Sequence, residues 1–486
     1  MEAEIKEIAL KIDDQEVKAK EGTPILEVAK NMGIKIPTLC YHKELSAFGS
    51  CRLCSVEIVD KRGRTRIVTS CNYPVEEGLI VHTKSEKTVK TRKMLLELLL
   101  ARCPKVPKIK ELAVEYGVQA PSLWVADENE DCILCGLCTR VCDELVGVHA
   151  IDFARRGVER EIATPYHEFS EDCIGCGACV EVCPTKSKRI RSRTYPVLPE
   201  DMERFNKRIL KGAFDENIGV YSEIFAGKSI YDGQDGGMAT ALLVSGMQNG
   251  FFDSAIVVQR TKGYQAAAFV AENTQEIIKA HGTKYLRVKM LSLLTDLVTK
   301  GKRKIAIIGT PCEVRAARKI QDTLLQDFPD LKLTIVGLFC FEAFDYEKLK
   351  AEIERLMGIN IDEATKTQIH KGKFQAIVKG QEHNVAVKDL GAAQEHGCHF
   401  CDDFTSKYAD VSVGSVGSPD GYSTVIVRSD VGAKLLENLQ VTRGEINKEE
   451  VIKLAVMKKN RAKKSFGKIV PPEVQVQPPV PTPKMH

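Results

Sequence analysis

Cys132-Ile133-Leu134-Cys135-Gly136-Leu137-Cys138-Thr139-Arg140-Val141-Cys142 and its echo, Cys173-Ile174-Gly175-Cys176-Gly177-Ala178-Cys179-Val180-Glu181-Val182-Cys183-Pro184, decide how this chain is read. Each run spells C-x2-C-x2-C-x3-C. Three thiolates at that spacing wrap one face of a [4Fe–4S] cubane, and the fourth is aimed at the neighbouring cluster in two-cluster ferredoxins. One cluster therefore takes Cys132, Cys135, Cys138 and Cys183, and the other takes Cys173, Cys176, Cys179 and Cys142. A pair of zinc ribbons needs only two C-x2-C pairs and leaves the remaining cysteines unexplained.

Seventeen of the 486 residues are cysteine, thirteen before residue 184 and four after residue 311. The N-terminus, Met1-Glu2-Ala3-Glu4-Ile5-Lys6, has neither a basic start nor an apolar h-region. The cysteines are accordingly expected to bind metal in a reducing cytoplasm, not to form disulfides. Seventy basic and 66 acidic residues leave +4, too balanced for a nucleic-acid binder. No apolar run reaches the roughly 20 residues of a membrane span; Met94–Ala101 is short and interrupted by Glu97.

The length allows several domains. Residues 1–82 read as a [2Fe–2S] ferredoxin module on a β-grasp layout. Hairpins are expected over Ile5–Ile12 with Glu16–Lys20, and over Ser55–Val59 with Arg66–Thr69. Between them a helix takes Thr23 as N-cap, Pro24 in its first turn and Gly33 as its stop. Cys40, Cys51 and Cys54 lie in an irregular loop whose N–H groups can turn toward cluster sulfurs, and Cys71 completes the set. Residues 83–130 form a helical connector, with helices over Thr88–Ala101 and Ile109–Tyr116. Residues 131–195 are the α+β 2[4Fe–4S] domain. Residues 196–457 have the texture of a mixed α/β domain, with buried strands at Ala255–Val258, Ile305–Ile308, Thr334–Gly337 and Thr424–Val427. Residues 458–486 read as a basic, then Pro-rich tail, with Lys458, Lys459, Arg461, Lys463 and Lys464 in solvent.

By spacing alone, the late cysteines Cys312, Cys340, Cys398 and Cys401 read either as ligands or as packing residues. Gly309-Thr310-Pro311-Cys312 follows a buried strand directly, and the carboxyl ends of strands are where open α/β sheets bind ligands. Gly233-Gln234-Asp235-Gly236-Gly237 precedes a helix expected from about Met238. Such a turn admits a phosphate to free helix N–H groups, or is simply a tight turn. Thr283 and Lys284 offer a hydroxyl and a charge, and Tyr285 a ring. No G-x-G-x-x-G follows a strand, which disfavours a Rossmann nicotinamide site. His281, His396 and His399 read as local hydrogen-bonding or surface residues, and no acid–base catalytic set stands out.

Two resemblances extend this reading. Pro37-Thr38-Leu39-Cys40 leading to Gly49-Ser50-Cys51-Arg52-Leu53-Cys54 resembles the N-terminal [2Fe–2S] domain of the complex I 75-kDa subunit and of iron-only hydrogenases. The likeness continues through Cys132–Thr185. Those relatives place a His/Cys3 cluster after the long helix, whereas here Cys103-Pro104 is followed by no such set, leaving Cys103 a structural thiol. Residues 215–430 resemble the β subunit of coenzyme F420-reducing hydrogenase and its dehydrogenase relatives. The matching residues are Gly233–Gly237 into Thr240-Ala241-Leu242-Leu243, Gly282-Thr283-Lys284-Tyr285, Gly309–Cys312, Cys398-His399-Phe400-Cys401 and Ala409–Gly417.

That second resemblance implies FAD, a third [4Fe–4S] cluster on Cys312, Cys340, Cys398 and Cys401, and coenzyme F420 as substrate. It implies flavin contacts from Gly236, Gly237, Thr240, Thr283, Lys284, Tyr285 and Thr310. The expected protein is an iron–sulfur flavoprotein oxidoreductase of anaerobic metabolism. It would exchange a hydride with F420 at FAD and pass single electrons through three [4Fe–4S] clusters and one [2Fe–2S] cluster. No catalytic acid or base is required, since the cofactors carry the chemistry. Clusters fused on one chain imply a hetero-oligomer, with a hydrogenase, dehydrogenase or heterodisulfide-reductase-like partner. The alternatives are NAD(P)H or another two-electron substrate on the same wiring, and an electron-transfer subunit without a substrate of its own.

Overall fold

Alternation of Ile8, Leu10 and Ile12 with charged residues buries one face of Glu7–Ile12, which pairs antiparallel with Gln15–Lys20. A computed structural model describes residues 6–119, 124–125, 127–168, 170–187, 199–231, 233–437 and 439–469. The N-terminal sheet has five strands, in the order Gln15–Lys20, Glu7–Ile12, Ile80–His82, Ser55–Val59 and Thr65–Thr69. The helix Ile25–Asn31 buries Ile25, Leu26, Val28 and Ala29 in the same core as this sheet. Its N-cap is Pro24, one residue later than expected, and no side chain caps it; the Thr23 cap is corrected. Helices Glu86–Arg102 and Pro107–Glu115 follow, the first capped by Ser85 Oγ accepting from the Thr88 N–H.

Each tandem cysteine run carries a short helix, Leu137–Arg140 and Ala178–Glu181. Leu137, Val141, Val146, Ile174 and Val182 pack with Leu96, Leu100, Ile109 and Leu112 from the connector helices, so one core joins the two segments.

The rest is built on an eight-stranded sheet. Its order is Ala266–Ala271, Ser254–Arg260, Lys304–Gly309, Lys332–Leu338, Val411–Gly414, Ser423–Val427, Glu223–Lys228 and Thr442–Gly444. The four strands from Ser254–Arg260 to Val411–Gly414 are parallel, and the flanking pairs are antiparallel. The four apolar runs read as buried strands all lie in it. A separate three-stranded sheet, Ala364–His370, Lys373–Val378 and Gln381–Ala386, is antiparallel throughout.

Residues 458–469 do not form a tail: they belong to a helix, Lys448–Ile469, whose Val451, Ala455, Lys458, Ala462 and Ile469 are buried. The expected boundary at 457/458 falls inside it. Lys458 is 1% exposed and Arg461 is half-buried, which corrects their reading as solvated charges. The Pro-rich segment beyond lies outside the described residues. Among those residues, no helix is long and apolar enough to cross a membrane.

Candidate functional site

Four cysteine sets emerge from these elements. Cys40, Cys51 and Cys54 lie between the helix Ile25–Asn31 and the strand Ser55–Val59; Cys71 follows Thr65–Thr69. All four are buried. Leu39 and Cys51 N–H groups donate to Cys51 Sγ and Cys40 Sγ, each at 3.4 Å. The hydrogen bond from Cys51 holds the Cys40 thiol below its usual range, at about 6.

The tandem runs assemble crosswise. Burial pushes Cys135 and Cys138 up, and Cys132 and Cys183 add to it. The same four thiols line one small cavity. Burial raises Cys173 to about 11 and Cys176 to about 12, with Cys142 contributing to each. Backbone N–H groups reach the crossing residues: Ala150 to Cys142 Sγ at 3.2 Å and Ser187 to Cys183 Sγ at 3.4 Å. N–H donors on sulfur are the second shell that iron–sulfur ligation uses.

The two ferredoxin segments meet at Arg140. Its guanidinium donates to the Cys40 carbonyl at 2.7 Å and to the Ser46 carbonyl, and lies 5.4 Å from the Phe48 ring centre. Phe48 stacks on Phe153 at 5.9 Å, and Ser50 Oγ donates to the Leu134 carbonyl at 3.1 Å.

A large cavity opens at the carboxyl ends of Lys304–Gly309 and Lys332–Leu338. Its lining joins Gly233, Gly237 and Thr240 to Thr283, Lys284 and Thr310, and these to Cys312, Cys340, Cys398 and Cys401. Ile174, from the second tandem run, also lines it. Burial pushes Cys312 up to about 12 and, with Lys458 opposing, raises Cys340 and Cys398; the three facing cysteines add to it at Cys340. The Ala343 N–H donates to Cys398 Sγ at 3.4 Å.

Gly237 must be glycine. It has φ +66° at the N-cap of the helix Met238–Gln248, and a Cβ there would stand 2.0 Å from the Tyr231 carbonyl oxygen. Among the described residues no side chain caps that helix, whose first turn, with Gly237 and Thr240, lies at the cavity. Gly236 is turned away, its N–H donating to Ser423 Oγ at 3.1 Å. Lys284 Nζ donates to the Ala280 and His281 carbonyls at 2.6 and 2.9 Å, and burial lowers its pKa to about 8, with Arg260 adding. Tyr285 stands outside the lining. Its ring meets Phe374 edge-on at 5.9 Å, and its hydroxyl accepts from the Ile369 N–H at 2.8 Å.

Two cavity residues, Glu313 and Arg287, escaped the sequence reading, and a third, Lys458, was read as solvent-facing. Glu313 forms a capping box with Thr310: its Oε2 accepts from the Thr310 N–H at 2.7 Å and hydroxyl at 3.0 Å, and burial pushes the carboxyl up to about 7. The T-x-x-E spacing after a strand was the available signal. Arg287 donates to the Asp172 carbonyl at 2.6 Å, tying the cavity wall to the second tandem run. Lys458 Nζ donates to the Cys340 carbonyl at 2.5 Å. Of the histidines, His281 lines the cavity, its ring against the Ile278 carbonyl at 2.9 Å.

Comparison with known proteins finds matches along most of the chain. Residues 5–86 match a 2Fe–2S iron–sulfur cluster binding domain, and residues 131–187 a 4Fe–4S dicluster domain. Residues 224–295 and 302–453 match the N-terminal and C-terminal parts of the coenzyme F420 hydrogenase/dehydrogenase beta subunit. The coenzyme F420 hydrogenase subunit beta of Methanococcus voltae is 36% identical over 245 residues, 48% of this chain and 88% of that protein. The coenzyme F420-dependent sulfite reductase of Methanocaldococcus jannaschii is 35% identical over 257 residues, half of this chain but only 40% of that protein. A chain of the F420-reducing [NiFe] hydrogenase complex from Methanosarcina barkeri superposes with a TM-score of 0.50 at 32% identity, covering 52% of this chain and 94% of that one. With iron–sulfur domains ahead of the matched region, the chain belongs to the coenzyme F420 hydrogenase/dehydrogenase beta subunit family.

Proposed function

We propose that this chain exchanges a hydride with coenzyme F420 at a bound FAD and relays single electrons through its iron–sulfur clusters to a partner subunit. The observation carrying this reading is the shared cavity. Residues proposed for a flavin and four cysteines proposed for a cluster line one space, and Ile174 brings the tandem cysteines to its wall.

FAD, when bound, divides a two-electron hydride into single electrons. The chain supplies position and electrostatics. The uncapped N-terminus of Met238–Gln248 and the Lys284 ammonium suit the pyrophosphate, and the Thr310 hydroxyl offers a polar contact beside Cys312. Cys312, Cys340, Cys398 and Cys401 are the proposed ligands of the nearest [4Fe–4S] cluster. The crossed sets Cys132/Cys135/Cys138/Cys183 and Cys173/Cys176/Cys179/Cys142 are proposed for two more, and Cys40/Cys51/Cys54/Cys71 for a [2Fe–2S] centre. Arg140 and Phe48 press that last site against the first tandem run, so the sets form one relay from the cavity to the N-terminal sheet.

The units we assign are 1–82, read as a β-grasp, then 83–130, 131–195, and a flavin domain from 196 to 469. A partner is expected from the relay, which brings electrons to the N-terminal module; a similar chain in Methanococcus voltae is itself a hydrogenase subunit. Metal and flavin analysis tests the proposal. Anaerobically purified protein should hold roughly 14 iron atoms, for three four-iron clusters and one two-iron cluster, with one FAD. Full iron without flavin contradicts the hydride chemistry and favours a purely electron-conducting subunit.

A further inference from the structure

We propose that Lys458, delivered by the C-terminal helix, is a fixed positive charge that raises the reduction potential of the cavity cluster. The proposal rests on the assignment of that cluster to Cys312, Cys340, Cys398 and Cys401. The matched family region ends at residue 453, ahead of Lys458.

The geometry is that of a strap. Lys448–Ile469 buries Val451, Ala455, Ala462 and Ile469, and Phe466 meets Phe400, which lies between Cys398 and Cys401, edge-on at 5.5 Å. On the same face, Lys458 reaches the Cys340 carbonyl and lines the cavity. One turn on, Arg461 donates to the Phe341 carbonyl at 2.7 Å and the Cys398 carbonyl at 3.2 Å, with Glu342 as its counter-ion at 2.9 Å. Two of the four proposed ligands are thus clamped through their backbones by one helix. Asp403, a buried carboxylate that also acts on Lys458, is occupied by the Thr405 and Lys407 N–H groups at 3.1 and 2.9 Å.

The consequence is electrostatic. A cluster held by four thiolates gains one negative charge when it accepts one electron, and no bond forms or breaks. In a buried site a nearby cation favours the reduced form, and removing it disfavours that form. Lys458 therefore acts through the ligand shell, as a positioning and tuning residue. It makes the cavity cluster a better acceptor of electrons from the flavin side than its thiolates alone would, and a correspondingly weaker donor to the tandem clusters.

The test is a redox titration of the full chain followed by electron paramagnetic resonance, with Lys458→Met and Lys458→Arg. The cavity cluster's signal is the one lost in a Cys312→Ser variant. In Lys458→Met, with iron content unchanged, its midpoint should fall by at least a tenfold change in the reduced-to-oxidised ratio, about 59 mV for one electron. Lys458→Arg should stay near the wild type, and the tandem clusters should not move. An unchanged midpoint in Lys458→Met, or an equal fall in Lys458→Arg, overturns the proposal. Should Lys458→Met lose the cluster, Lys458→Gln, which retains a donor for the Cys340 carbonyl, takes its place. Loss of the cluster in Met, Gln and Arg variants alike would make Lys458 structural and also overturn it. Absence of a cavity-cluster signal from the wild type instead overturns the cluster assignment, and the tuning with it.

Discussion

Replacing Lys284 by Met removes the one cavity ammonium that the family motif offers to a phosphate. A charge-assisted hydrogen bond is worth about 1.5–3 kcal/mol. At about 1.4 kcal/mol per decade, that predicts a roughly ten- to 150-fold weaker hold on FAD. The low end is favoured, because two of the three ammonium protons already serve the Ala280 and His281 carbonyls. The wild type should show a pH signature that the variant lacks. Burial places the free Lys284 pKa at about 8, and a bound phosphate raises it. Flavin affinity is therefore full below about pH 8. It falls as pH climbs from there toward the higher pKa of the complex, by up to tenfold per unit, because one proton must be taken up on binding. Flavin fluorescence on equilibrium dialysis between pH 6.5 and 9.5 reads both effects. A Lys284→Met protein that keeps its flavin within twofold, with the wild-type pH profile, would refute the placement of the phosphate at this lysine.

Cys103→Ser should leave iron content and electron transfer intact. It should lower thermal stability, since burying a hydroxyl in the apolar surroundings of a fully buried thiol costs about 1–3 kcal/mol; calorimetry beside iron analysis separates the two. Arg140→Met unpins the Cys40 loop from the tandem run. Its expected result is a full iron complement with slowed reduction of the [2Fe–2S] centre in rapid-freeze spectra, and faster proteolysis of the N-terminal module. Gly397→Ala puts a methyl 2.6 Å from Ile174 Cδ1, the far end of a flexible side chain, so Ile174 changes rotamer while the second tandem run stays in place. Flavin content, iron content and the rate at which the cavity cluster reduces the tandem clusters should all stay near the wild type, a result that stopped-flow spectra will read.

The proposed cysteine sets were legible because ligand spacing is written in the chain: the first three cysteines of a C-x2-C-x2-C-x3-C run are placed for one cubane and the fourth for its neighbour. The buried strands were legible for a similar reason, since Ile305-Ala306-Ile307-Ile308 and Thr334-Ile335-Val336-Gly337 are continuous apolar runs of the kind parallel sheets bury on both faces. The C-terminal helix shows where local reading stops. Val451, Ala455, Ala462 and Ile469 follow helical spacing, and Lys458 fills the missing place in that stripe. A lysine in an apolar stripe embedded in a basic run reads as solvent-facing. It is buried only because distant cysteines and a carbonyl at Cys340 accept its charge, which no window on the sequence contains. Tyr285 fails in the opposite way. Its motif places it beside Lys284, yet the core around Phe374, Phe344 and Tyr264 claims its ring.

The central claim is hydride exchange with a deazaflavin carrier, and anaerobic viologen reduction by the purified chain tests it most directly, with reduced coenzyme F420, NADH and NADPH run side by side. The account predicts flavin-dependent turnover with reduced F420. Turnover with a nicotinamide alone contradicts it.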